Sequence, residues 1–404
     1  ENYKQQEHPL YHVRQLAAKR LENEDSLLLL ESPTPSVESK YLVQNDKFKG
    51  FNLENEEDKI NYNIVDMKKE IENGNLGDLS EKLKAAIKEQ LDKNNKIMLF
   101  LNRRGAANYV ICRKCGEVIK CENCNISLNY HKEADKLRCH YCGFERGMPE
   151  YCPECGSKFI APAGIGIEKV LKEIKENYPE AITEKVDSGL TEREIDKKLK
   201  SFKRGKIDIL IGTSILIKNQ FYEDLNFLAV ISADTALNSA DFRAAENNYA
   251  LLNQLSSLVK NSKNSEIYFQ TYKPEHYSLQ SLINNKRKKF YKTELEIRRA
   301  RNYPPFSRLL NIIISGQNEG EVKNTALKLS SFLDNYSDKF SEKLEAAPAV
   351  LNKIRNKHRW QLIIKFENTR SREYIIQLIE KIFMKNNNIE EIEIRIDVDP
   401  YQML

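Results

Sequence analysis

The sequence lacks the long apolar segments that a membrane-spanning helix requires. Such a helix needs roughly 18 or more consecutive apolar residues, whereas the longest apolar runs, residues 27–30 and 97–101, have only the length of a β-strand. The sequence also opens with residues 1–4 as Glu-Asn-Tyr-Lys, and no apolar core follows a basic start there, as it would in a secretory signal. We therefore expect no secretion, no membrane partner and a cytoplasmic location.

A large excess of charge of either sign is missing as well. Lys and Arg number 64 against 59 Asp and Glu, so the net charge at pH 7 is only +5. A balance of this kind permits nucleic-acid binding without requiring it. With 404 residues, of which 40% are hydrophobic, the chain is long enough for two to three domains of about 150 residues each.

Cysteine is absent from 360 residues, because all eight cysteines lie between Cys112 and Cys155. They form four pairs with two residues between the partners: Cys112 and Cys115, Cys121 and Cys124, Cys139 and Cys142, and Cys152 and Cys155. Disulfide frameworks belong mainly to small secreted chains, and redox dithiols do not account for four repeated pairs. The spacing instead predicts two tetrahedral zinc sites with four thiolates each.

A structural role is expected for both zinc ions, since eight thiolates leave no open coordination position for catalysis. His131 and His140 lie beside the cysteines and are alternative ligands, although eight cysteines already suffice. Glycine follows three of the four pairs, where a turn around a metal favours positive φ. The pairs can combine as neighbours, interleaved or nested.

Strands and helices alternate through the middle of the chain. The pattern predicts strands at residues 97–101, 208–212 and 227–233, and helices at residues 78–92, 167–178, 192–203 and 244–258. Asp78 and Glu81 have the spacing of a capping box for the first of these helices. The alternation predicts an α/β fold with a doubly wound parallel sheet. The cysteine-rich segment is then an insertion between one strand and the next helix.

The last hundred residues have a different pattern. Strands are predicted at residues 309–315, 347–354, 360–366 and 392–398, and helices at residues 322–333 and 373–383. The order β-α-β-β-α-β predicts a small ferredoxin-like α+β domain. Residues 45–63 are polar and acidic, so we expect a loop or linker there.

Several further segments carry a family resemblance. They comprise residues 3–7, 11–14, 100–105, 241–246, 290–306, 358–362 and 397–404, together with the four cysteine pairs. Jointly they resemble the PriA family of replication-restart helicases, also called primosomal protein N′, over nearly the whole chain. Residues 3–14 resemble the segment that follows this family's DEEH box, and residues 100–105 lead into the zinc module as they do there.

The resemblance implies a RecA-like helicase lobe with a parallel sheet, an inserted two-zinc module and a C-terminal ferredoxin-like domain. The implied boundaries are 1–45 for the end of the first helicase lobe, 46–107 for a linker and the start of the second lobe, 108–160 for the zinc module, 161–300 for the rest of the second lobe, and 301–404 for the C-terminal domain. It also favours the nested metal pairing. Cys112, Cys115, Cys152 and Cys155 would then hold one zinc ion, and Cys121, Cys124, Cys139 and Cys142 the other.

Candidate nucleic-acid contacts lie near the start of the chain and after one predicted strand. They are Tyr3, Lys4, Gln5, Tyr11, His12, Arg14, Arg103 and Arg104. Aromatic and basic side chains in alternation suit base stacking and phosphate contact, although a solvated loop and a structural ion pair are the alternatives. The basic run 286–289 is a further candidate, with a solvated helix face as its alternative. The family implies branched or single-stranded DNA, other primosome proteins and single-strand-binding protein as partners.

The parts that hydrolyse ATP are missing or altered. The chain contains neither a G-x-x-x-x-G-K-[ST] phosphate loop nor a DEEH box, and it does not begin with methionine, so we expect processing or a longer parent protein. The family's third motif corresponds to residues 31–36 and its fifth to residues 212–219, where Gly212, Thr213 and Lys218 are candidate nucleotide contacts. Its sixth motif corresponds to residues 254–261, which contain no arginine.

We therefore expect no catalytic residue in this chain and no ATP hydrolysis by the chain alone, with ATP and Mg²⁺ needed only by the intact family protein. The family activity is ATP-dependent 3′→5′ DNA unwinding. The alternatives are a non-hydrolysing zinc-ribbon scaffold that binds DNA, a degenerate homologue, and a zinc-ribbon nucleic-acid protein outside replication.

Overall fold

The structure is a computed structural model. The structure describes residues 4, 10–53, 59–102, 109–122, 127–131, 134–139, 142–162, 166–218, 222, 224–239, 241–384 and 392–401. In these parts of the chain, no helix is both long enough and apolar enough to span a bilayer.

The strands and helices are numbered in chain order. The strands are β1 (Asn61–Asp66), β2 (Ile97–Phe100), β3 (Val110–Cys112), β4 (Asn129–His131), β5 (Lys136–Arg138), β6 (Glu145–Gly147), β7 (Ile160–Pro162), β8 (Thr183–Val186), β9 (Ile209–Gly212), β10 (Phe227–Val230), β11 (Glu266–Thr271), β12 (Arg308–Gly316), β13 (Glu342–Lys343), β14 (Ala347–Ile354), β15 (Lys357–Phe366) and β16 (Ile392–Val398). The helices are α1 (Val13–Leu21), α2 (Val37–Gln44), α3 (Met67–Glu72), α4 (Glu81–Asp92), α5 (Ile167–Asn177), α6 (Glu192–Lys203), α7 (Ala244–Ser256), α8 (Tyr277–Ile283), α9 (Arg287–Ala300), α10 (Glu319–Asp334) and α11 (Thr369–Ile379).

Six strands form a parallel sheet in the order β1-β11-β10-β2-β9-β8. The two sides of β2 face different cores, because Met98 and Phe100 join one cluster while Ile97 and Leu99 join the other. Helices α4 and α5 cover one face, and α6, α7, α8 and α9 cover the other. The predicted doubly wound α/β fold is confirmed.

The start of α4 differs from the prediction. Ser80, not Asp78, is the N-cap, and its hydroxyl accepts a hydrogen bond from the Leu83 N–H at 3.1 Å. The buried Gln270 amide explains the difference, since it accepts from the Ser80 N–H and donates to the Asp78 carbonyl, both at 2.8 Å. These bonds hold the chain extended up to Ser80, and the Asp78 carboxylate pairs with Lys169 at 2.7 Å instead.

The C-terminal domain is an antiparallel sheet in the order β14-β15-β12-β16, with the short β13 also paired to β15. Its long helices α10 and α11 pack on the face that carries Ile312 and Leu362. This strand order with two helices on one face is ferredoxin-like, so the predicted β-α-β-β-α-β unit is confirmed. The predicted domain boundaries remain predictions.

Candidate metal centre

Four of the cysteine sulfurs meet at the base of the cysteine-rich segment. The Sγ atoms of Cys112, Cys115, Cys152 and Cys155 all lie within 4.8 Å of one another. The separations are 3.7 Å for Cys112 and Cys155 and 3.6 Å for Cys115 and Cys152. Tetrahedral zinc with Zn–S bonds of about 2.3 Å spaces its sulfurs about 3.8 Å apart. The group therefore has the dimensions of a four-thiolate zinc site.

A second group lies further along the segment. It contains Cys121, Cys139 and Cys142, with 3.5 Å between the sulfurs of Cys121 and Cys142. Cys124, the fourth predicted member, lies outside the described residues. The first and last cysteine pairs thus meet each other, and the two inner pairs contribute the second group, which is the grouping of the nested arrangement. His131 belongs to neither group among the described residues.

The backbone builds each described cysteine pair in the same way. The N–H of the glycine after the pair donates to the first cysteine's carbonyl, at 2.7 Å for Gly116 and 2.9 Å for Gly143 and Gly156. All three glycines have positive φ, of 77°, 75° and 67°, in the left-handed region that favours glycine. The resulting turn brings both sulfurs of a pair to the same side.

The surroundings shift the pKa values of the thiols in different directions. Burial raises the pKa of Cys112 and of Cys115. Burial also acts to raise the pKa of Cys155, but hydrogen bonds from the Ser157 N–H and from the neighbouring thiols lower it overall. Since zinc binds the thiolate, metal binding must release protons from this group.

The segment contacts two different domains. Gly116 packs against Tyr272, just beyond β11 of the parallel sheet, so closely that an added Cβ would lie 2.6 Å from the Tyr272 Cβ. Gly143 packs against Ala347, the first residue of β14, at 3.5 Å by the same measure. A shared apolar cluster, which includes Cys139, Leu309 and Ile363, continues this second contact. The two sulfur groups are therefore anchored on separate domains.

Comparison with known proteins identifies these domains. Residues 299–401 match the primosomal protein N C-terminal domain, and residues 121–146 match the PriA DNA helicase Cys-rich region domain. Replication restart protein PriA of Bacillus subtilis is 33% identical over 412 residues, which cover 100% of this chain and 51% of the relative. The Synechocystis protein of the same name is 34% identical over 407 residues, with 97% and 48% covered. The chain belongs to the PriA family.

The chain spans about half the length of the curated PriA relatives it matches. Its cysteine-rich segment is a zinc-binding module of the PriA type. A solved structure of S. cerevisiae Dbp5 bound to RNA and ADP BeF3 aligns with 72% of this chain and 57% of its own, at 10% identity and a TM-score of 0.34. The fold assignment rests on the sheet topology.

Two cations of the segment that resembles the PriA region after the DEEH box, Lys4 and Arg14, have partners within the protein. Lys4 is 2.7 Å from Asp397 and donates to the Val398 carbonyl, with 6% of its side chain exposed. Arg14 donates to the hydroxyls of Ser36 and Ser39 at the start of α2, at 3.1 and 3.2 Å. Both cations therefore have intramolecular partners, and their assignment as DNA contacts remains a prediction.

The other predicted members of this set have varied positions. Burial and the charge of Arg14 lower the pKa of His12 to about 4, so its ring is neutral at pH 7. Tyr11 is 40% exposed. Tyr3, Gln5, Arg103 and Arg104 lie outside the described residues.

The candidate nucleotide contacts lie at the carboxyl end of β9. Gly212 accepts a hydrogen bond from the Leu101 N–H at 2.9 Å, and a Cβ at Gly212 would lie 2.6 Å from the Leu216 Cγ. The packing of the following 3₁₀ turn thus explains this glycine. Thr213 is buried and Lys218 is exposed. Open α/β sheets bind ligands at this edge.

A buried ionic cluster, which sequence analysis missed, joins three helices around Arg298. This guanidinium contacts Glu246 at 2.6 Å, Glu294 at 2.8 Å and Glu38 at 3.2 Å. Arg243 also contacts Glu38, at 2.7 Å. Helices α2, α7 and α9 supply the three carboxylates, so the cluster fixes α2 to the helicase lobe. Its members are up to 260 residues apart in sequence, so no local pattern indicates it.

Proposed function

We propose that the chain is the zinc-containing part of a bacterial replication-restart protein that binds branched or single-stranded DNA. The alignment of the whole chain with replication restart proteins named PriA carries this proposal. Other primosome proteins and single-strand-binding protein are the expected protein partners, and the cytoplasm is the expected location.

The module holds two zinc ions in nested order in this proposal. Cys112, Cys115, Cys152 and Cys155 form the outer site, and Cys121, Cys124, Cys139 and Cys142 form the inner site. The separations of 3.5 to 3.7 Å between sulfurs support it, because they suit tetrahedral thiolate coordination. Elemental analysis of the purified chain should give two zinc ions per chain.

The His131→Ala variant is the matched control for this measurement, because His131 lies beside the cysteines but outside both sulfur groups. It should retain both zinc ions. A single zinc ion in the unaltered chain, or the loss of one zinc ion in His131→Ala, would contradict the assignment.

For DNA binding, the exposed aromatic ring of Tyr11 is the best-supported contact in the N-terminal segment. Fluorescence anisotropy with forked, single-stranded and duplex oligonucleotides would test the proposal. We expect tighter binding to the fork and the single strand than to the duplex. Equal affinity for all three, or no binding to any of them, would contradict it.

A non-hydrolysing scaffold is the second candidate, and the positions of three cations favour it. In PriA helicases ATP drives 3′→5′ unwinding, and the sixth motif supplies arginines to the transferred phosphate. Here Lys260 is bonded through its backbone to Leu225, at the amino end of β10 and thus at the sheet edge opposite Gly212. Arg243 is buried against Glu38. Neither can readily replace an arginine at the phosphate, so among these candidates only the exposed Lys218 is left.

ATP turnover by the purified chain with Mg²⁺ and saturating single-stranded DNA separates the two candidates. The scaffold predicts no turnover above a buffer blank. Turnover that disappears in Lys218→Ala would establish the enzyme.

A further inference from the structure

The hairpin formed by β14 and β15 ends in an unusual turn. Its two central residues, Arg355 and Asn356, have φ values of +48° and +63°, and Ile354 pairs with Lys357 on either side of them. This is the arrangement of a type I′ turn. In the part of the chain that the structure describes, eight non-glycine residues have positive φ; seven of them are Asn or Asp, and Arg355 is the exception. Because a long side chain is strained in this region of backbone space, the position of Arg355 indicates a role other than folding.

The hairpin extends beyond the rest of its sheet. The last pair between β12 and β15 joins Gly316 to His358, so the pair of Ile354 and Lys357 lies past the end of β12. The pairing of β14 with β15 also shifts register shortly before the turn, and such irregularities bend and twist a strand. Residues 351–357 are all exposed. The hairpin thus forms a narrow two-stranded ribbon that projects from the C-terminal domain.

The ribbon carries charge of one sign. Residues 347–366, which comprise β14, the turn and β15, contain five Lys and Arg and no Asp or Glu. Lys357 is paired with Glu393 of β16 at 3.1 Å. Lys353 and Arg355 have no ion pair among the described residues. Two cations at the tip are therefore available to an anionic partner.

Two further cations lie at the base of the ribbon, on the face of the sheet away from α10 and α11. Arg359 of β15 is opposite Ser315 of β12, and Arg395 of β16 is opposite Ile313 of β12. They flank β12 at a separation of two strands, or about 10 Å. Burial and the charge of Arg395 lower the pKa of Arg359, and like charges at this range favour an anion beside them. The positive surface therefore continues from the tip across the sheet.

The shape and composition of the ribbon favour one class of nucleic acid. Leu351 and Ile354 are exposed, but residues 351–359 include no aromatic residue, and binding of single strands depends on aromatic rings that stack on the bases. The major groove of B-DNA is about 12 Å wide and admits a two-stranded β-ribbon. The major groove of A-form RNA is too narrow for side chains to read. Duplex DNA is therefore the partner that fits.

We propose that the β14–β15 hairpin binds duplex DNA, with its tip in the major groove. Lys353 and Arg355 contact phosphates along the groove, and Arg359 and Arg395 contact the backbone beside it. This inference rests on the proposed DNA role, and it assigns the duplex arm of a branched molecule to the C-terminal domain. The strain at Arg355 is then the cost of a cation at the tip.

The test compares two variants of the full chain by fluorescence anisotropy. Three fluorescein-labelled probes are used: a DNA duplex of about 20 base pairs, or two helical turns, the RNA duplex of the same sequence, and the single DNA strand. Arg355→Asn removes the cation and supplies a residue that tolerates positive φ. Arg370→Gln is the control, because Arg370 is an exposed arginine of the same domain that follows the opposite end of β15.

We expect Arg355→Asn to weaken binding of the DNA duplex about tenfold, the effect of one hydrogen bond to a charged group. Its plot of log affinity against log salt should be shallower by about 0.9, since one phosphate contact is lost. Its binding of the single strand, and the binding of every probe by Arg370→Gln, should change less than about twofold, because distant exposed charges are screened. The thermal unfolding midpoint of Arg355→Asn should equal or exceed that of the unaltered chain, because the strain is relieved.

Several results would overturn the inference. They are equal effects of Arg355→Asn and Arg370→Gln on the DNA duplex, an equal loss for the duplex and the single strand, and a lower unfolding midpoint in Arg355→Asn, which would make Arg355 a structural residue. Tighter binding of the RNA duplex than of the DNA duplex, lost in Arg355→Asn, would assign the hairpin to RNA instead. If the unaltered chain binds the single strand but not the DNA duplex, this inference fails and the proposed DNA role stands. If it binds no probe, both fail.

Discussion

Replacing Arg298 with methionine should destabilise the helicase lobe strongly. The side chain of Arg298 is 1% exposed and contacts three carboxylates, on Glu38, Glu246 and Glu294. Methionine retains much of the aliphatic volume and removes the positive charge. Within the described parts of the chain, Arg243 then remains as the one guanidinium in contact with these carboxylates, and it reaches Glu38.

The size of the effect follows from burial. Removing one partner of a buried ion pair costs about 3–5 kcal/mol, because the other charge is left without compensation in a poorly solvated place. Two helices besides α9 supply carboxylates to Arg298, so the loss should also loosen α2 from the lobe. The Lys292→Met variant is the control on the same helix. Lys292 is exposed, and its replacement should change the unfolding free energy by no more than about 0.5 kcal/mol.

The loss of unfolding free energy in Arg298→Met should depend on pH. Burial acts to raise the pKa of Glu38, but Arg243 and Arg298 lower it overall, whereas burial raises the pKa of Glu246. Without Arg298, the pKa of both carboxyls should rise in the folded state. A carboxyl group whose pKa is higher in the folded than in the unfolded protein stabilises the fold at pH values below its unfolded pKa of about 4.3. This stabilisation is lost as the pH rises through the folded pKa. The deficit of Arg298→Met should therefore be larger at pH 8 than at pH 5.

Urea unfolding followed by far-UV circular dichroism at the two pH values measures this deficit. A loss below about 1 kcal/mol at pH 8 would show that the cluster does not stabilise the lobe as reasoned. A deficit that grows on acidification would show that the carboxylates are not the destabilising groups.

Four other outcomes are expected. Cys121→Ser should release about one zinc ion and loosen the tip of the module, whereas Cys152→Ser should release the other ion and free the base. Elemental analysis measures the zinc content, and limited proteolysis measures the loosening. Loss of both ions from either variant would contradict two separate sites. Tyr11→Ala should weaken single-strand binding by about 1–3 kcal/mol, with affinity falling steeply with salt; unchanged anisotropy titrations would exclude this ring from the interface. The chain should hydrolyse no ATP, and turnover abolished by Lys218→Ala would refute that. Gly116→Ala should destabilise the contact between the module and the lobe, because residue 116 has a φ of +77° and an alanine Cβ there would meet Tyr272. A thermal unfolding midpoint equal to that of the unaltered chain would show that the contact is dispensable.

Strands buried on both faces were predictable because their composition is continuous and apolar. β2, β9 and β10 are examples, and each is buried along its whole length. β1 and β8 lie at the two edges of the sheet, where polar residues are tolerated, so Asn61 and Asn63 indicated a loop rather than a strand. β11 is central but carries Gln270, whose amide is fully buried because it bonds to the Asp78 and Ser80 backbone.

In the candidate sites, too, local patterns could be predicted from the sequence and contacts between distant segments could not. The metal-binding turns are an example of the first, and the buried ionic cluster is an example of the second. A cysteine pair followed by glycine is a local pattern, and the turn that it predicts forms three times with similar φ values. The partners of Lys4 and Arg298 depend on contacts between distant segments, such as Asp397 and Glu38. Residue type alone does not reveal such partners, because they become neighbours only in the tertiary structure.

The antiparallel pair β3 and β7 closes the base of the zinc module. Val110 lies opposite Pro162 and Cys112 lies opposite Ile160, so the chain leaves and returns at points about 4.5–5.5 Å apart. The register of this pair is set at the base alone, so changes of length beyond it need not alter the pairing of β3 with β7. Insertions within the tip must preserve both the sulfur group of Cys121, Cys139 and Cys142 and the packing of Gly143 against Ala347. Changes in the tip should therefore be felt first by the C-terminal domain, on which Gly143 packs, and not by the parallel sheet.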